Sequence, residues 1–345
     1  MFDPSLASFI ARLPKVELHV HLEGSVWPET LRELSSAKGR LRQETEDWIR
    51  ERERQGYRYG NFRRFLEAFK LVTLLLETPA DYALATARLT EELARQRVRY
   101  AEIILAAGVV LWKKQPLDAI FDAVSEAAIA AQARFGLRVR WIFDAIRHFG
   151  AEHVREVLHW AARLRAGGVV ALGIGGDEER GPAELFTEVY REARDLGLHV
   201  VAHAGEVGGP ENIRNAVALL GAERIGHGLT AIRDPQLLAL LRDRRIPLEV
   251  CPTSNLATGV LARLEDHPLP RFLEAGIRVT LNSDDPAMFG TSLEREYVQA
   301  AETFVLSREQ LLGLCENAVH AAFLSEDEKQ LLLNGLFKAA SGRKL

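Results

Sequence analysis

Eight short apolar stretches rich in β-branched residues recur along the 345-residue chain, separated by longer stretches of helical periodicity. The candidate strands lie at 16–21, 98–106, 137–145, 169–175, 198–203, 224–227, 246–251 and 277–283. Between them 79–97, 116–135, 151–165, 182–196 and 235–244 read as helices. Several open on a proline, whose missing N–H is one that a first helical turn leaves unbonded anyway. Strands joined by crossover helices return parallel, and an eight-fold alternation favours a closed barrel over an open sheet. The expected fold class is therefore α/β: a TIM-like (β/α)8 barrel with a helical insertion after the first strand and extra C-terminal helices.

The gap between the first two strands, about 26–97, is longer than one crossover needs, so an insertion of helices is expected at about 26–78. Within it 39–64 is rich in arginine and glutamate, and Phe62, Phe65, Leu66 and Phe69 then recur at helical spacing. One reading is a solvated surface helix followed by a core helix; the other is a lid over the barrel mouth. The arginine-rich stretch from Arg40 to Arg58 is a candidate receiver for an anionic tail on a substrate. Segments 292–323 and 326–340 read as terminal helices packed outside. With no repeat, low-complexity tract or Gly/Ser linker, a single domain over 1–345 is the simplest organisation.

Composition removes several function classes. Forty-four basic against 48 acidic residues leave a net charge of −4, which gives no electrostatic footprint for nucleic acid or an anionic membrane. Two cysteines, Cys251 and Cys315, build neither a disulfide framework nor a thiolate zinc site, which suits a reducing cytoplasm. Met1-Phe2-Asp3-Pro4 lacks the basic-then-apolar start of a secretory leader, so a cytoplasmic protein is expected. One of the longest apolar runs, 103–112, reads as a buried strand and its exit, so no membrane segment is expected. Oligomeric state has no signature in the sequence.

His19-Val20-His21 ends the first candidate strand, and strict alternation turns both imidazoles to one face. Glu17 shares that parity one layer deeper and reads as a paired buried carboxylate without a catalytic role. His203 ends the fifth strand; Asp284 follows the eighth, with Thr280 and Asn282 on its parity. Three imidazoles and a carboxylate at strand C-termini are nitrogen and oxygen ligands suited to zinc with one position left for water. Ligand type alone leaves iron(II) and manganese(II) open.

Glu206 stands three residues beyond His203, where a desolvated carboxyl beside a metal can carry a proton; the plainer reading is an acid ahead of a helix beginning near Pro210. His227, between Gly226 and Gly228, can orient or deprotonate an attacking water. The run Gly173 to Glu178 either forms a turn or brings a backbone N–H to a flat ligand, and it matches no dinucleotide or phosphate fingerprint. Asp285 lies where the strand breaks before Pro286, free to face a ligand. Among the other histidines, His153 and His159 fall on an outer helix, His267 at a helix start, His320 in a late helix, and His199 reads as a core residue. Arg147-His148 reads either way.

Taken in chain order, His19-Val20-His21-Leu22-Glu23-Gly24, Gly176-Asp177-Glu178, His203-Ala204-Gly205-Glu206, Gly226-His227-Gly228, Cys251-Pro252-Thr253-Ser254-Asn255 and Ser283-Asp284-Asp285-Pro286 resemble the adenosine deaminase family of metal-dependent hydrolases over nearly the whole chain. The resemblance implies one zinc per chain on His19, His21, His203 and Asp284, and a small-molecule purine substrate. It implies that Glu206 protonates purine N1, His227 handles the hydroxide, Asp285 binds N7 and the Gly176 N–H binds N3, with His21 and Glu23 also at the substrate. The Pro-Cys-x-x-Cys pair of the other zinc-deaminase template is lacking.

Glu23 departs from the aspartate usual where adenosine itself is deaminated. Family members acting on adenine, or on 5′-modified adenosines such as 6-aminodeoxyfutalosine in menaquinone synthesis, are similar in having glutamate there. The expected activity is removal of the 6-amino group of an adenine-type nucleoside, releasing ammonia. The alternative is a free-adenine or N6-substituted adenine deaminase. Rival readings are a metal hydrolase of amides or esters, and an inactive purine-binding barrel.

Overall fold

The computed structural model describes residues 4–36 and 40–341. Eight strands run β1 Lys15–His21, β2 Val98–Leu105, β3 Arg138–Ile146, β4 Val169–Gly175, β5 His199–Ala204, β6 Arg224–His227, β7 Leu248–Val250 and β8 Val279–Leu281. They pair in parallel in sequence order. The ring is drawn shut just beyond β8: the Asp284 N–H donates to His19 O (2.9 Å) and the His21 N–H donates to Asp284 O (2.8 Å). That closure delivers Asp284 to the tips of His19 and His21, so barrel geometry and site geometry have one cause.

Inside the barrel Ile104, Ile142, Ala171 and Val201 form an apolar layer, each buried, while the strands' other faces pack on the outer helices. A fully buried aliphatic side chain of this kind contributes roughly 1.5–3 kcal/mol. No helix among the described residues is long and apolar enough to cross a membrane.

Element boundaries differ from the sequence reading where a helix end captures the start of the next strand. The N–H of Ile246 bonds back to Leu241 O and that of Ile277 to Phe272 O, so these residues close the preceding helices, and β7 and β8 are three residues each. The stretch 292–323 is two helices, Leu293–Phe304 and Arg308–Ala321. Val305 turns left-handed (φ 54°) and Ser307 starts the second helix with a capping box to Gln310. His199 is no core residue: it begins β5 at the barrel's N-terminal rim, half exposed, stacked on Phe323 at 3.9 Å and bonded to Glu223.

The insertion holds helices Pro28–Ser35, Arg40–Gln55 and Phe62–Leu75 before the crossover helix Pro79–Arg95. The second is the solvated, charged helix. The third, capped by Asn61, turns Phe62, Phe65, Leu66 and Phe69 toward the barrel mouth, where they line a cavity.

Candidate active site

Three imidazoles and one carboxylate meet at the C-terminal mouth. His21 Nε2 lies 3.3 Å from His203 Nε2, and Asp284 Oδ1 lies 3.4 Å from His21 Nε2 and 3.5 Å from His19 Nε2. Two neutral imidazole nitrogens cannot face each other this closely without a cation or a shared proton between them. Donors 2.0–2.2 Å from a tetrahedral zinc stand about 3.3–3.6 Å from one another, a range that holds the spacings found here. His19 Nε2 is buried with no hydrogen-bond partner in the protein. The donor set therefore fits a zinc-sized cation. Burial, reinforced by neighbouring imidazoles, holds His203 well below the usual histidine range, and burial pushes His21 down to about 3, so both keep a lone pair for a metal.

Behind this cluster runs a buried polar chain. His19 Nδ1 bonds to Glu249 Oε2 (2.9 Å), Glu249 takes a bond from Arg224 Nε, and Arg224 Nη2 lies 2.6 Å from Glu102 Oε2. Burial pushes the Glu249 pKa up, but the Arg224 guanidinium and the His19 ring together outweigh it and hold the pKa below the usual range. An anionic Glu249 fixes which nitrogen His19 presents to the site. Gly226 on β6 makes room for that ring: a Cβ there would lie 2.8 Å from His19 Cε1. Glu17 stays outside the cluster. A register irregularity between Glu17 and Val20 breaks the alternation, and the carboxyl accepts from Ser283 Oγ at 2.8 Å.

Glu206 and His227 lie beside the cluster. His227 Nε2 lies 3.6 Å from Glu206 Oε2 and 3.8 Å from Asp284 Oδ2. Asn255 Nδ2 donates to His227 Nδ1 (3.3 Å), so the ring presents Nε2–H to the cavity, and burial pushes its pKa down to about 4. Burial, then Asp284 and Glu178, raise Glu206 well above the carboxylate range; burial and Asp284 do the same to Asp285. His227 (φ 62°) and Asp284 (φ 60°) both hold left-handed backbone, a strain of order 1–3 kcal/mol each that the barrel sustains at the site.

A cavity of about 330 Å³ opens over this group. His21, Gly176, His203, Glu206, His227, Asp284 and Asp285 all line it. So does His148, which the sequence left open: its Nδ1 would lie 3.1 Å from a Cβ on Gly176, whose φ of 94° also calls for glycine. Glu23 does not line it; buried, its carboxyl accepts the Ala106 N–H at 3.2 Å. Nor do the arginines between 42 and 58: Arg52 sits over the Tyr59 ring and bonds Arg58 O, and Arg54 pairs with Glu51. Among the described residues, the lysine or arginine that lines the cavity is Lys70, on the aromatic helix.

Sequence reasoning missed Asp144. It lies two residues before the end of β3 in the cavity wall, its Oδ1 buried without a partner, and burial pushes its pKa up to about 7. A Cβ on Gly173 or Gly175 would come within 2.8 and 2.9 Å of its oxygens, so the alternating glycines of β4 clear space for a neighbour's carboxyl.

A family model described as Adenosine deaminase matches residues 14–339. The chain is 42% identical to the aminodeoxyfutalosine deaminase of Streptomyces avermitilis over 92% of its own length and 89% of that protein's. It is 36% identical to the adenine deaminase of Mesorhizobium japonicum over 94% of this chain and 99% of that one. Among solved structures, an amidohydrolase from Burkholderia ambifaria with bound zinc superposes with a TM-score of 0.88 at 26% identity, covering 99% of this chain and 95% of that one.

Proposed function

The chain belongs to the adenosine deaminase family, hydrolases of cyclic-amidine C–N bonds, and from that premise we propose that it removes the 6-amino group of an adenine-type nucleoside, releasing ammonia and the hypoxanthine product. The observation that carries this reading is Glu206, a buried, proton-holding carboxyl set beside a converging three-histidine, one-aspartate cluster. An amide or ester hydrolase needs no such acid together with a second one, Asp285, lining the same cavity.

His19, His21, His203 and Asp284 would hold one zinc per chain, a choice supported by the donor set and by the zinc in the Burkholderia relative. When bound, such an ion supplies an activated water as nucleophile at neutral pH. Attack at C6 drives negative charge onto N1, and Glu206, protonated because burial and two nearby carboxylates hold its proton, delivers it there. Asp285, protonated for the same reason, donates to N7, and the Gly176 N–H meets N3. His227 presents Nε2–H, so its role is to orient the attacking oxygen by donating to it.

Among nucleosides we favour those extended at the 5′ position, such as 6-aminodeoxyfutalosine, which would place the enzyme in menaquinone synthesis. Support comes from the higher identity to the Streptomyces enzyme and from a cavity whose walls continue outward past the groups assigned to the base. Free adenine is the second reading, favoured by the Mesorhizobium relative. Ammonia release by the zinc-loaded protein from 6-aminodeoxyfutalosine, adenosine, N6-substituted adenines and adenine tests it. The 5′-extended nucleoside should be the best substrate by kcat/KM; turnover of adenine alone would sink the nucleoside reading, and turnover of none the deaminase mechanism.

A further inference from the structure

At the end of the barrel opposite the active site, where β5, β6, β7 and β8 begin, a recess of about 210 Å³ opens, and Arg245, Arg278, His320 and Lys329 line it. They arrive from four places in the chain. Arg245 lies between helix Pro235–Asp243 and β7, and Arg278 directly precedes β8. His320 stands in the last turn of helix Arg308–Ala321, and Lys329 in the first turns of helix Glu326–Ala340. None of the four lines the active-site cavity.

Two of these charges have no counter-charge within the protein. Neither Arg245 nor Arg278 makes an ion pair or a side-chain hydrogen bond among the described residues. They feel each other instead: burial, and then the Arg245 charge, hold the Arg278 pKa below the usual guanidinium range. Burial, then Arg278 and Lys329, hold His320 down in the same way. The other charges of the wall are answered. The buried Arg224 pairs with Glu102 and Glu249, and Glu223 pairs with His199 at 2.9 Å. Lys329 meets Glu326 at 3.0 Å, but that carboxylate is 86% exposed, so water screens the pair and leaves the ammonium open to a further partner.

Like charges that converge on one recess repel each other, and the field they share concentrates anions there. We infer that the recess is a binding site for a phosphate group, held between the guanidinium ends of Arg245 and Arg278 with Lys329 and His320 as further donors. A phosphate suits this set better than a carboxylate does. It carries about −1.5 to −2 charges at neutral pH and offers three strong acceptor oxygens, and guanidinium forks match its geometry. Inorganic phosphate and the phosphoryl end of a small phosphomonoester share that chemistry. Because the recess shares no residue with the active-site cavity, its occupant is distinct from the substrate of the deamination proposed above.

Calorimetric titration of the zinc-loaded full chain tests the site, at neutral pH and with ionic strength held constant by chloride so that general screening does not change. The probes are inorganic phosphate, glycerol 3-phosphate and acetate. Wild type should bind one phosphate group per chain with a Kd of about 1 mM or tighter, and acetate at least about tenfold more weakly. Tighter binding of the ester assigns the site to a phosphorylated metabolite, and tighter binding of the free ion to phosphate itself. Arg245→Gln and Arg278→Gln should each weaken phosphate at least about tenfold and together abolish its binding, while Lys70→Met, at the far end of the barrel, leaves it unchanged. Without phosphate the two arginine variants should melt at or above the wild-type temperature, since each relieves a repulsion, which separates loss of the site from loss of the fold. Saturating phosphate should raise the wild-type midpoint and leave that of the double variant where it was. No binding by wild type, equal affinity for acetate, or phosphate binding that survives in the double variant would overturn the site.

Discussion

Glu178 carries the turn that carries Glu206. Its buried carboxylate accepts four successive backbone N–H groups, from Gly205 (2.8 Å), Glu206 (3.0 Å), Val207 (3.1 Å) and Gly208 (3.3 Å), and a fifth bond from Asn212 Nδ2 (2.9 Å). One side chain from the loop after β4 thus fixes the backbone on which the acid beside β5 depends, and its negative charge also helps Glu206 hold a proton.

Replacing Glu178 by Gln keeps the shape but turns one acceptor into a donor facing backbone N–H groups. We expect kcat to fall about 100-fold with KM within about threefold and zinc content unchanged. Glu206 acts when protonated, so activity is present below its pKa and lost as pH rises through it. Removing the Glu178 charge lowers that pKa, and the alkaline limb of kcat should move to lower pH. Lower thermal stability with kcat and its pH profile intact would show a purely structural role.

Gly226→Ala tests the fit around His19 without replacing any of the four residues proposed to hold the zinc. The new Cβ would meet His19 Cε1 at 2.8 Å and Nδ1 at 3.3 Å, and the ring cannot retreat without breaking its bond to Glu249. Zinc affinity, measured by competition with a chelator, should weaken about 10–100-fold, as it does when an outer partner of a ligand is lost. An unchanged affinity would mean that the ring tolerates displacement.

Glu206→Gln removes the proton and keeps the volume. Expected is a loss of about 10²–10⁴ in kcat with zinc retained at one per chain, since Glu206 is not among the ligands. Near-normal turnover would remove Glu206 from the chemistry and leave the N1 proton to another group.

How much of this was legible in the sequence depended on whether a feature is local. His19, His21, His203 and Asp284 could be read because barrel strands end at one face and the alternation of β1 recovers before His21. The irregularity between Glu17 and Val20 was not readable: the period-two rule assumes a regular strand, and no glycine or proline marks the slip. Glu249 and Asp144 look like ordinary strand acids; the role of Asp144 depends on the register of β4, which places two glycines beside it, and that of Glu249 on barrel closure, which brings His19 of β1 within reach of β7. The break at Val305 falls on a β-branched residue, a type that seldom turns left-handed, whereas His227 and Asp284 are of types that do so more readily but carry no local mark of it. The arginine-rich helix misled for the opposite reason: its composition signalled charge, but composition does not say which face of the molecule a solvated helix occupies.

His267 gives a pH test independent of the metal. Buried, with Nδ1 accepting the Leu269 N–H at 3.0 Å and Nε2 unpartnered, it is pushed down to about 3 by desolvation. An unfolded chain protonates this ring near pH 6.5, so between there and about 3 the unfolded state binds a proton that the native state refuses. Its contribution is fully present above about pH 6.5 and drains away on acidification at about 1.4 kcal/mol per pH unit. Asn at this position can still accept the Leu269 N–H but does not titrate. Urea unfolding of His267→Asn between pH 6 and 4 should therefore show a stability slope shallower by one proton than wild type, with the two proteins within about 2 kcal/mol at pH 7.5. Parallel curves would mean that the ring takes up its proton in the native state, for example by swinging out toward the cavity it borders.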